Sequence, residues 1–247
     1  GHGHEYDLKP ALCKKRVLVI GGGPAGLEAA RVAALRGHRV TVCEKGLALG
    51  GRLTLAAAPP FKTPIQDFVA YLAGQIERLG VEVKLGVEVT PNLVETMQPD
   101  AVILATGALP LIPNIKGIGA SSVVTAEDVL SGKARVGQNV AIIGGGMVGC
   151  ETSDFLTENG RKATILEMLP EMAKDMGISM RTRLLNRLAD GGVVMLTGVR
   201  CREVTDQGVV FTDADGRERT LNADTVVLAT GSVPNRELCQ AIGSKVS

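Results

Sequence analysis

The sequence lacks several features that would by themselves suggest a function. No apolar run reaches the roughly 18 residues of a membrane span, and the N-terminus has no signal-peptide core. The formal net charge of the 247 residues is +1, which gives no reason to expect a nucleic-acid partner. Two of the three histidines, His2 and His4, lie in an opening GHGH typical of an exposed tail, and no further ligands lie nearby. We therefore expect a cytoplasmic protein with no membrane association and no metal site.

Cysteine is also scarce, and no CxxC pair occurs. This excludes a redox-active dithiol and a cysteine-ligated iron–sulfur cluster within this chain. Cys43 and Cys150 fall inside apolar patterns, so buried side chains are a better interpretation than nucleophiles. We find no nucleophile triad and no paired general acid and base, and we predict no catalytic residue. The five cysteines are scattered and odd in number, which argues against a disulfide framework: Cys13, Cys43, Cys150, Cys201 and Cys239.

What the sequence does contain is a strand, a glycine-rich turn and a helix at residues 16–44, RVLVIGGGPAGLEAARVAALRGHRVTVCE. A branched apolar run at residues 17–20 is typical of a strand buried on both faces. The motif GGGPAG follows at residues 21–26, a helix ends near Gly37, and a second strand occupies residues 40–43.

Each glycine of this motif has a separate role in dinucleotide binding. Gly21 allows a tight turn, Gly23 lets a pyrophosphate approach the backbone, and Gly26 lets the helix pack closely on the strand. Glu44 follows the second strand, where a carboxylate can accept hydrogen bonds from an adenosine ribose. A glycine turn with only a structural role is the alternative, and the flanking strand, helix and acid disfavour it.

The same pattern returns later in the chain. Val140 to Ile143 lead into GGGMVG at residues 144–149, and Glu167 closes the next strand. Two ATG turns, at residues 105–107 and 229–231, repeat with an offset of 124. We infer that one dinucleotide-binding unit occurs twice. Five pairs share an offset of 123: Gly21 and Gly144, Gly26 and Gly149, Glu28 and Glu151, Gly37 and Gly160, and Glu44 and Glu167.

The fold class predicted from these patterns is α/β, with two tandem Rossmann-like units that have parallel sheets plus small antiparallel layers. A helix at residues 62–80 is predicted with Thr63 as its N-cap, and residues 46–53 are predicted as a loop. Four strands, at residues 193–196, 200–205, 208–213 and 217–221, are predicted to form an antiparallel layer over one face of the second sheet. The predicted domains are a lead-in (1–15), an FAD-binding domain (16–115), a connector (116–138), a domain that binds NAD(P)H (139–235) and a truncated return toward the first domain (236–247).

Two dinucleotide sites have an obvious joint use. One can hold a flavin permanently, while the other receives a nicotinamide that hands over a hydride. This would explain why the chain needs no catalytic triad.

The motifs GGGPAGLEAA and GGGMVGCE, together with the two ATG turns, resemble the two-dinucleotide flavoproteins that include the pyridine nucleotide-disulfide reductases. The runs LGGRLTLAAAPPFK, PDAVILATGALP and GGGMVGCETSDFL are most similar to the C-terminal half of the NADH:flavin oxidoreductase group, which includes trimethylamine dehydrogenase, 2,4-dienoyl-CoA reductase and enoate reductase. The resemblance covers the chain from Lys15 onward.

The resemblance implies that this half holds FAD and receives hydride from NAD(P)H. Electrons would then pass to an upstream barrel of the same polypeptide that carries FMN and an iron–sulfur cluster. The family's closing Gly-Asp segment is not found, so we expect a fragment with an incomplete FAD site. The alternative is a non-catalytic module that binds only ADP, as in trimethylamine dehydrogenase-like proteins. A stand-alone NADH oxidase would require a complete flavin domain.

The resemblance also assigns site residues. Glu167 favours NADH over NADPH, because a carboxylate there bonds a ribose 2′-hydroxyl and repels a 2′-phosphate. Glu151 matches a family glutamate near the nicotinamide, or is a polar group at the core edge. The expected FAD residues are Gly21, Gly23, Pro24, Ala25, Gly26, Glu44, Lys45, Gly51, Arg52, Thr106 and Gly107. The expected nicotinamide-cofactor residues are Gly144, Gly146, Met147, Val148, Gly149, Glu151, Glu167, Thr230 and Gly231.

Overall fold

A parallel sheet flanked by helices occurs in each half of the chain. The computed structural model describes residues 8–243, and these divide into two units. The first unit comprises residues 8–57, 62–108 and 234–243, and the second comprises Ala58–Phe61 and Leu109–Val233. The predicted lead-in and return therefore lie partly outside the described residues, and residues 8–15 contain neither helix nor strand.

The described residues form fourteen strands and eight helices. As far as residue 110 they are β1 (Arg16–Ile20), α1 (Pro24–Leu35), β2 (Arg39–Glu44), α2 (Arg52–Ala56), α3 (Thr63–Arg78), β3 (Glu82–Leu85), α4 (Pro91–Met97), β4 (Ala101–Leu104) and β5 (Ala108–Pro110). The remainder are β6 (Val123–Thr125), α5 (Ala126–Leu130), β7 (Asn139–Ile143), α6 (Met147–Glu158), β8 (Lys162–Leu166), α7 (Ile178–Asp190), β9 (Val194–Leu196), β10 (Arg200–Thr205), β11 (Gly208–Thr212), β12 (Glu218–Asn222), β13 (Thr225–Leu228), β14 (Ser232–Pro234) and α8 (Glu237–Gly243).

The first unit is built on a four-stranded parallel sheet in the order β3-β2-β1-β4. Successive side chains of β1 point to opposite faces, so the apolar run of this strand is buried on both sides. Val17 and Val19 pack with Leu27 of α1 and Ile76 of α3. Leu18 and Ile20 pack on the other face, against side chains of α4 and Leu238 of α8.

The second unit has a five-stranded parallel sheet in the order β6-β13-β7-β8-β9. Helices α5, α6 and α7 cover one face, with Ile142, Cys150, Ile165 and Leu188 at the centre of that core. The antiparallel sheet β10-β11-β12 covers the other face. This confirms the predicted α/β class with parallel sheets and an antiparallel layer.

Two strand assignments in the second unit differ from the prediction. Residues 194–196 were expected in the antiparallel layer, but β9 pairs parallel to β8, with Ile165 opposite Met195. A three-residue apolar run has no period of its own, so tertiary packing decided its sheet. Strand β6 lies in the predicted connector and pairs parallel to β13.

The first unit also shows two local differences. The N-cap of α3 is Lys62, without a side-chain cap hydrogen bond, and Thr63 is the first helical residue, so the predicted Thr63 N-cap was wrong. The predicted loop at residues 46–53 contains the start of the short helix α2 at Arg52. The predicted helix ends are confirmed at Gly37, Gly80 and Gly160, which all have positive φ directly after a C-cap residue. Within residues 8–243, no helix is long and apolar enough to cross a membrane.

Candidate functional site

The first glycine-rich turn joins β1 to α1 through close backbone contacts. Gly21 has φ +110°, and its N–H donates to Cys43 O at 2.8 Å. A Cβ at Gly21 would overlap the carbonyl of Ala105, and a Cβ at Gly26 would overlap the carbonyl oxygen of Gly21. Both positions therefore require glycine, as the roles predicted for the turn and the helix packing demand.

At Gly23, unlike Gly21 and Gly26, neither the backbone conformation nor a close contact requires a glycine. Its φ of −76° suits any residue, and a Cβ there would meet nothing nearer than the Gly51 Cα at 3.9 Å. It is the N-cap of α1, and no side chain caps this helix end. The first N–H groups of a helix carry partial positive charge and have no intrahelical acceptor. The space beside Gly23 thus fits a diphosphate bound to the start of α1.

Glu44 lies at the carboxyl end of β2, next to this cradle. Its Oε2 accepts a hydrogen bond from Gly22 N at 2.6 Å, and its Oε1 accepts one from Gly46 N at 2.6 Å. These two bonds fix the carboxylate between the glycine turn and the loop after β2. Each oxygen has a second lone-pair site, so the group can still accept a ribose hydroxyl.

The loop after β2 returns to cover the glycine turn. Gly50 N donates to Gly22 O at 2.8 Å, and a Cβ at Gly22 would lie 2.6 Å from the Leu49 side chain. Gly51 has φ +53°, and a Cβ there would lie 2.9 Å from the Gly23 Cα. Of the remaining expected residues in this region, Lys45 and Arg52 are exposed.

The first ATG turn completes this edge of the sheet. Ala105 N donates to Ile20 O at 2.8 Å, which continues the pairing of β4 with β1. The Thr106 hydroxyl donates to Asn235 O at 3.0 Å, and Asn235 N donates to Gly107 O at 2.9 Å. Thr106 thus ties the turn to the segment before α8. A Cβ at Gly107 would meet nothing within 4 Å.

The second unit repeats this geometry in detail. Gly144 has φ +106° and donates its N–H to Leu166 O at 2.9 Å. A Cβ at Gly149 would overlap Gly144 O, as at the first turn. The Thr230 hydroxyl donates to Leu111 O at 2.7 Å, and Leu111 N donates to Gly231 O at 3.0 Å.

Glu167 reproduces the position of Glu44. Its Oε2 accepts from Gly145 N at 2.6 Å and its Oε1 from Leu169 N at 2.7 Å. Glu167 is buried, with 7% of its surface exposed, and Glu151 of α6 is also buried, at 8%. Glu151 is not free of interactions.

The N-terminus of α6 differs from that of α1. Gly146 is its N-cap, and Met147 and Val148 are exposed in the first turn. The Met147 N–H donates to Asp175 Oδ1 at 2.8 Å. A carboxylate from the loop after β8 therefore stands beside Gly146, whereas no side chain lies within 4 Å of a Cβ on the equivalent Gly23. No motif in the sequence indicates a role for Asp175, which the repeat offset of 123 places opposite Arg52 of the first unit.

The cysteines do not form a redox centre. All five are free, and Cys43 and Cys150 are buried as predicted. Burial raises the pKa of Cys150 to about 12, with the charges of Asp175 and Glu167 adding to the effect. Burial likewise raises the pKa of Cys201 to about 12. A thiol with such a pKa is a poor nucleophile at neutral pH. Among residues 8–243, no cluster of three histidine, cysteine or acidic side chains could hold a metal ion.

Known proteins show the same architecture. The chain matches the family model described as pyridine nucleotide-disulphide oxidoreductase over residues 15–247. It is 42% identical over 232 residues to an NADH oxidase of Thermoanaerobacter brockii, a match that covers 92% of this chain and 36% of that protein. A cinnamate reductase of Clostridium sporogenes is 39% identical over 241 residues, covering 96% of this chain and 36% of that protein.

A solved 2-naphthoyl-CoA reductase in complex with 2-naphthoyl-CoA has a TM-score of 0.94 at 35% identity, covering 97% of this chain and 36% of that chain. The chain thus spans little more than a third of the length of these relatives. The matches confirm the resemblance to the FAD/NAD-binding half of the NADH:flavin oxidoreductase group. The chain belongs to the pyridine nucleotide-disulphide oxidoreductase family.

Proposed function

We propose that the chain is the dinucleotide-binding part of an NADH-dependent flavin oxidoreductase, with FAD on the first unit and NADH on the second. The observation that carries the proposal is the duplicated cradle. In both units a glycine turn, a helix N-terminus and a strand-end glutamate are brought together by equivalent hydrogen bonds.

The first cradle fits an adenosine diphosphate group. The open side of Gly23 admits a diphosphate to the amides of α1, and the fixed Glu44 carboxylate can accept ribose hydroxyl protons. Gly51, Arg52, Thr106 and Gly107 would extend this site along the same sheet edge. Pro24, Ala25, Gly26 and Lys45 complete its expected lining.

The second cradle would hold the nicotinamide cofactor in the same way. Gly144, Gly146, Met147, Val148 and Gly149 form the turn and the helix start, and Glu167 would bond the ribose. The buried position of Glu167 supports NADH, because a 2′-phosphate would place negative charge against a carboxylate with little solvent screening. Glu151, Thr230 and Gly231 would line the remainder.

When bound, the two cofactors supply hydride and electron transfer. The residues of this chain bind and orient them, and none is proposed to act as nucleophile, acid or base. We propose further that the remaining part of the polypeptide carries FMN and an iron–sulfur cluster that accept the electrons. The final acceptor would be set by that part.

Reconstitution with FAD tests this function. The chain is incubated with FAD, freed of excess by gel filtration, and examined for a visible flavin band that NADH bleaches under anaerobic conditions. We expect the chain to take up FAD and NADH to bleach the bound flavin. The Gly119→Ala variant should behave like the wild type, since a Cβ at this exposed glycine meets nothing within 4 Å.

Two other outcomes separate the alternatives. Binding of ADP without retention of flavin would favour the non-catalytic module that holds only ADP. If the chain bound none of FAD, ADP and NADH, both functions would be contradicted.

A further inference from the structure

An acidic side chain occupies the helix start of the second cradle. Asp175 Oδ1 accepts the hydrogen bond of the Met147 N–H, and Asp175 Oδ2 lies 3.3 Å from where a Cβ on Gly146 would be. Gly146 is the counterpart of Gly23, where no side chain lies within 4 Å of the Cβ position. The Asp175 carboxylate thus stands beside the backbone that a pyrophosphate would approach.

The loop after β8 holds Asp175 in this place. Ala173 is fully buried, has φ +48°, and donates its N–H to Gly145 O at 2.6 Å. Met172 is buried against Gly145. A left-handed alanine costs on the order of 1 kcal/mol, so packing and hydrogen bonding must hold the loop in this conformation.

The first unit has an equivalent loop, with a positively charged residue at the position that Asp175 holds in the second unit. Leu49 and Gly50 stand 123 positions before Met172 and Ala173 and make the equivalent contacts with Gly22. The same offset places Arg52 where the second unit has Asp175. One loop position is therefore a cation beside the first cradle and an anion beside the second.

We propose that Asp175 is an internal competitor for the phosphate position of the second cradle, which selectively weakens nicotinamide-cofactor binding and keeps that cofactor exchangeable. The inference rests on the proposed function of the second unit. A pyrophosphate that binds the first amides of α6 would compete with this carboxylate for the Met147 N–H, because both anions are attracted to the same partial positive charge and repel each other. At the first cradle, the equivalent position holds the cation Arg52, which would attract a phosphate rather than repel it.

This role differs from simple helix capping in what it predicts. A cap stabilises the free protein, so removing it lowers stability in either case. Only a competitor weakens ligand binding by its presence, so only then does removal increase affinity. Asp175 is exposed, and solvent screening limits the gain in NADH affinity to about fivefold.

The test compares NADH binding by the wild type, Asp175→Ala and Asp175→Asn, measured by calorimetric titration together with the melting temperature without ligand. We expect Asp175→Ala to melt at a lower temperature yet to bind NADH about fivefold more tightly. Asp175→Asn retains an oxygen acceptor for Met147 N–H without the charge, so its affinity should lie between the two. Asp190→Ala, at the exposed end of α7, is the control for loss of one negative charge.

The outcomes distinguish this inference from the proposed function. If NADH binds all four proteins equally, or binds Asp175→Ala more weakly, Asp175 is only a cap and the inference is wrong, while NADH binding stands. If the wild type and every variant fail to bind NADH, the proposed function of the second unit fails and this inference fails with it. If Asp175→Ala does not fold, the NADH affinity of Asp175→Asn decides. Tighter binding than the wild type supports the inference, and equal or weaker binding contradicts it.

Discussion

The Glu167 carboxylate accepts a hydrogen bond from the backbone N–H of Gly145 at 2.6 Å, and the acid expected to recognise the ribose therefore also fixes the glycine turn. Its other oxygen accepts from Leu169 N at 2.7 Å. Glu44 makes the same pair of bonds in the first unit. In each unit the glutamate expected to recognise a ribose thus also holds the local backbone.

Replacing Glu167 by glutamine should change cofactor preference. The amide removes the negative charge that would face a 2′-phosphate, so the NADPH affinity relative to NADH should rise about tenfold. The amide NH2 would also face the Leu169 N–H, and this unmatched pair should lower the free energy of unfolding by about 1–3 kcal/mol. Binding titrations with both cofactors and urea unfolding measure the two effects.

Glu44→Gln is the control for this preference. This variant should lower the free energy of unfolding by a similar amount, because the hydrogen bonds of Glu44 are equivalent to those of Glu167. Since Glu44 belongs to the first unit, the ratio of NADH affinity to NADPH affinity should not change. An unaltered ratio in Glu167→Gln would contradict the assignment of Glu167 to the ribose.

The helix-packing glycines should tolerate no side chain. A Cβ at Gly26 or Gly149 would overlap a backbone carbonyl oxygen within the same turn. We expect Gly26→Ala and Gly149→Ala to lower the free energy of unfolding by about 3 kcal/mol or more, or to prevent folding. Gly74→Ala is the matched control in the interior of α3, where alanine should stabilise the helix by about 1 kcal/mol. If Gly149→Ala had the same free energy of unfolding as the wild type, the close packing at this glycine would be contradicted.

A partly buried ion pair joins α6 to α7, with the Arg187 side chain 39% exposed. The Arg187 guanidinium donates from Nε to Asp154 Oδ2 at 3.1 Å, and the Asp154 side chain is only 6% exposed. Arg187→Met should lower the free energy of unfolding by about 3 kcal/mol, because it leaves an unpaired buried carboxylate. The double variant Asp154→Leu, Arg187→Met should recover much of that loss. Urea unfolding checks both, and equal stability of the single and double variants would contradict the explanation.

The raised pKa values of Cys150 and Cys201 predict that the protein loses stability at high pH. In the folded protein the pKa of Cys150 and of Cys201 is about 12, against 9.0 for an ordinary thiol. Above pH 9 the unfolded chain therefore releases protons that the folded chain retains, and the free energy of unfolding falls as pH rises toward 12. The double variant Cys150→Ala, Cys201→Ala should be less stable at neutral pH and show a shallower decline. If the free energy of unfolding of the double variant fell as steeply with pH as that of the wild type, the two thiols would not be the cause of the decline.

The duplicated turns could be predicted from sequence because glycine is required there by backbone geometry. The residues after β8 could not, since Asp175 meets Met147 across 28 positions and aspartate has no turn signal specific to that contact. The sheet of β9 was mispredicted because its three residues fit either layer. The N-cap of α3 was misplaced by one residue because Thr63 and Pro64 both favour a helix start, and the chain enters the helix before Thr63 can cap it.

The central claim is that the glycine turns are dinucleotide cradles rather than structural turns, and FAD binding to Gly23→Ala tests it most directly. Alanine fits the free protein, because the nearest atom to the new Cβ is 3.9 Å away and φ is −76°. The free energy of unfolding should therefore change by about 1 kcal/mol or less. We predict that calorimetric titration shows one FAD or ADP on the wild type, at least a tenfold weaker affinity in Gly23→Ala, and unchanged NADH binding. Equal affinity of wild type and Gly23→Ala for FAD and ADP would contradict the account.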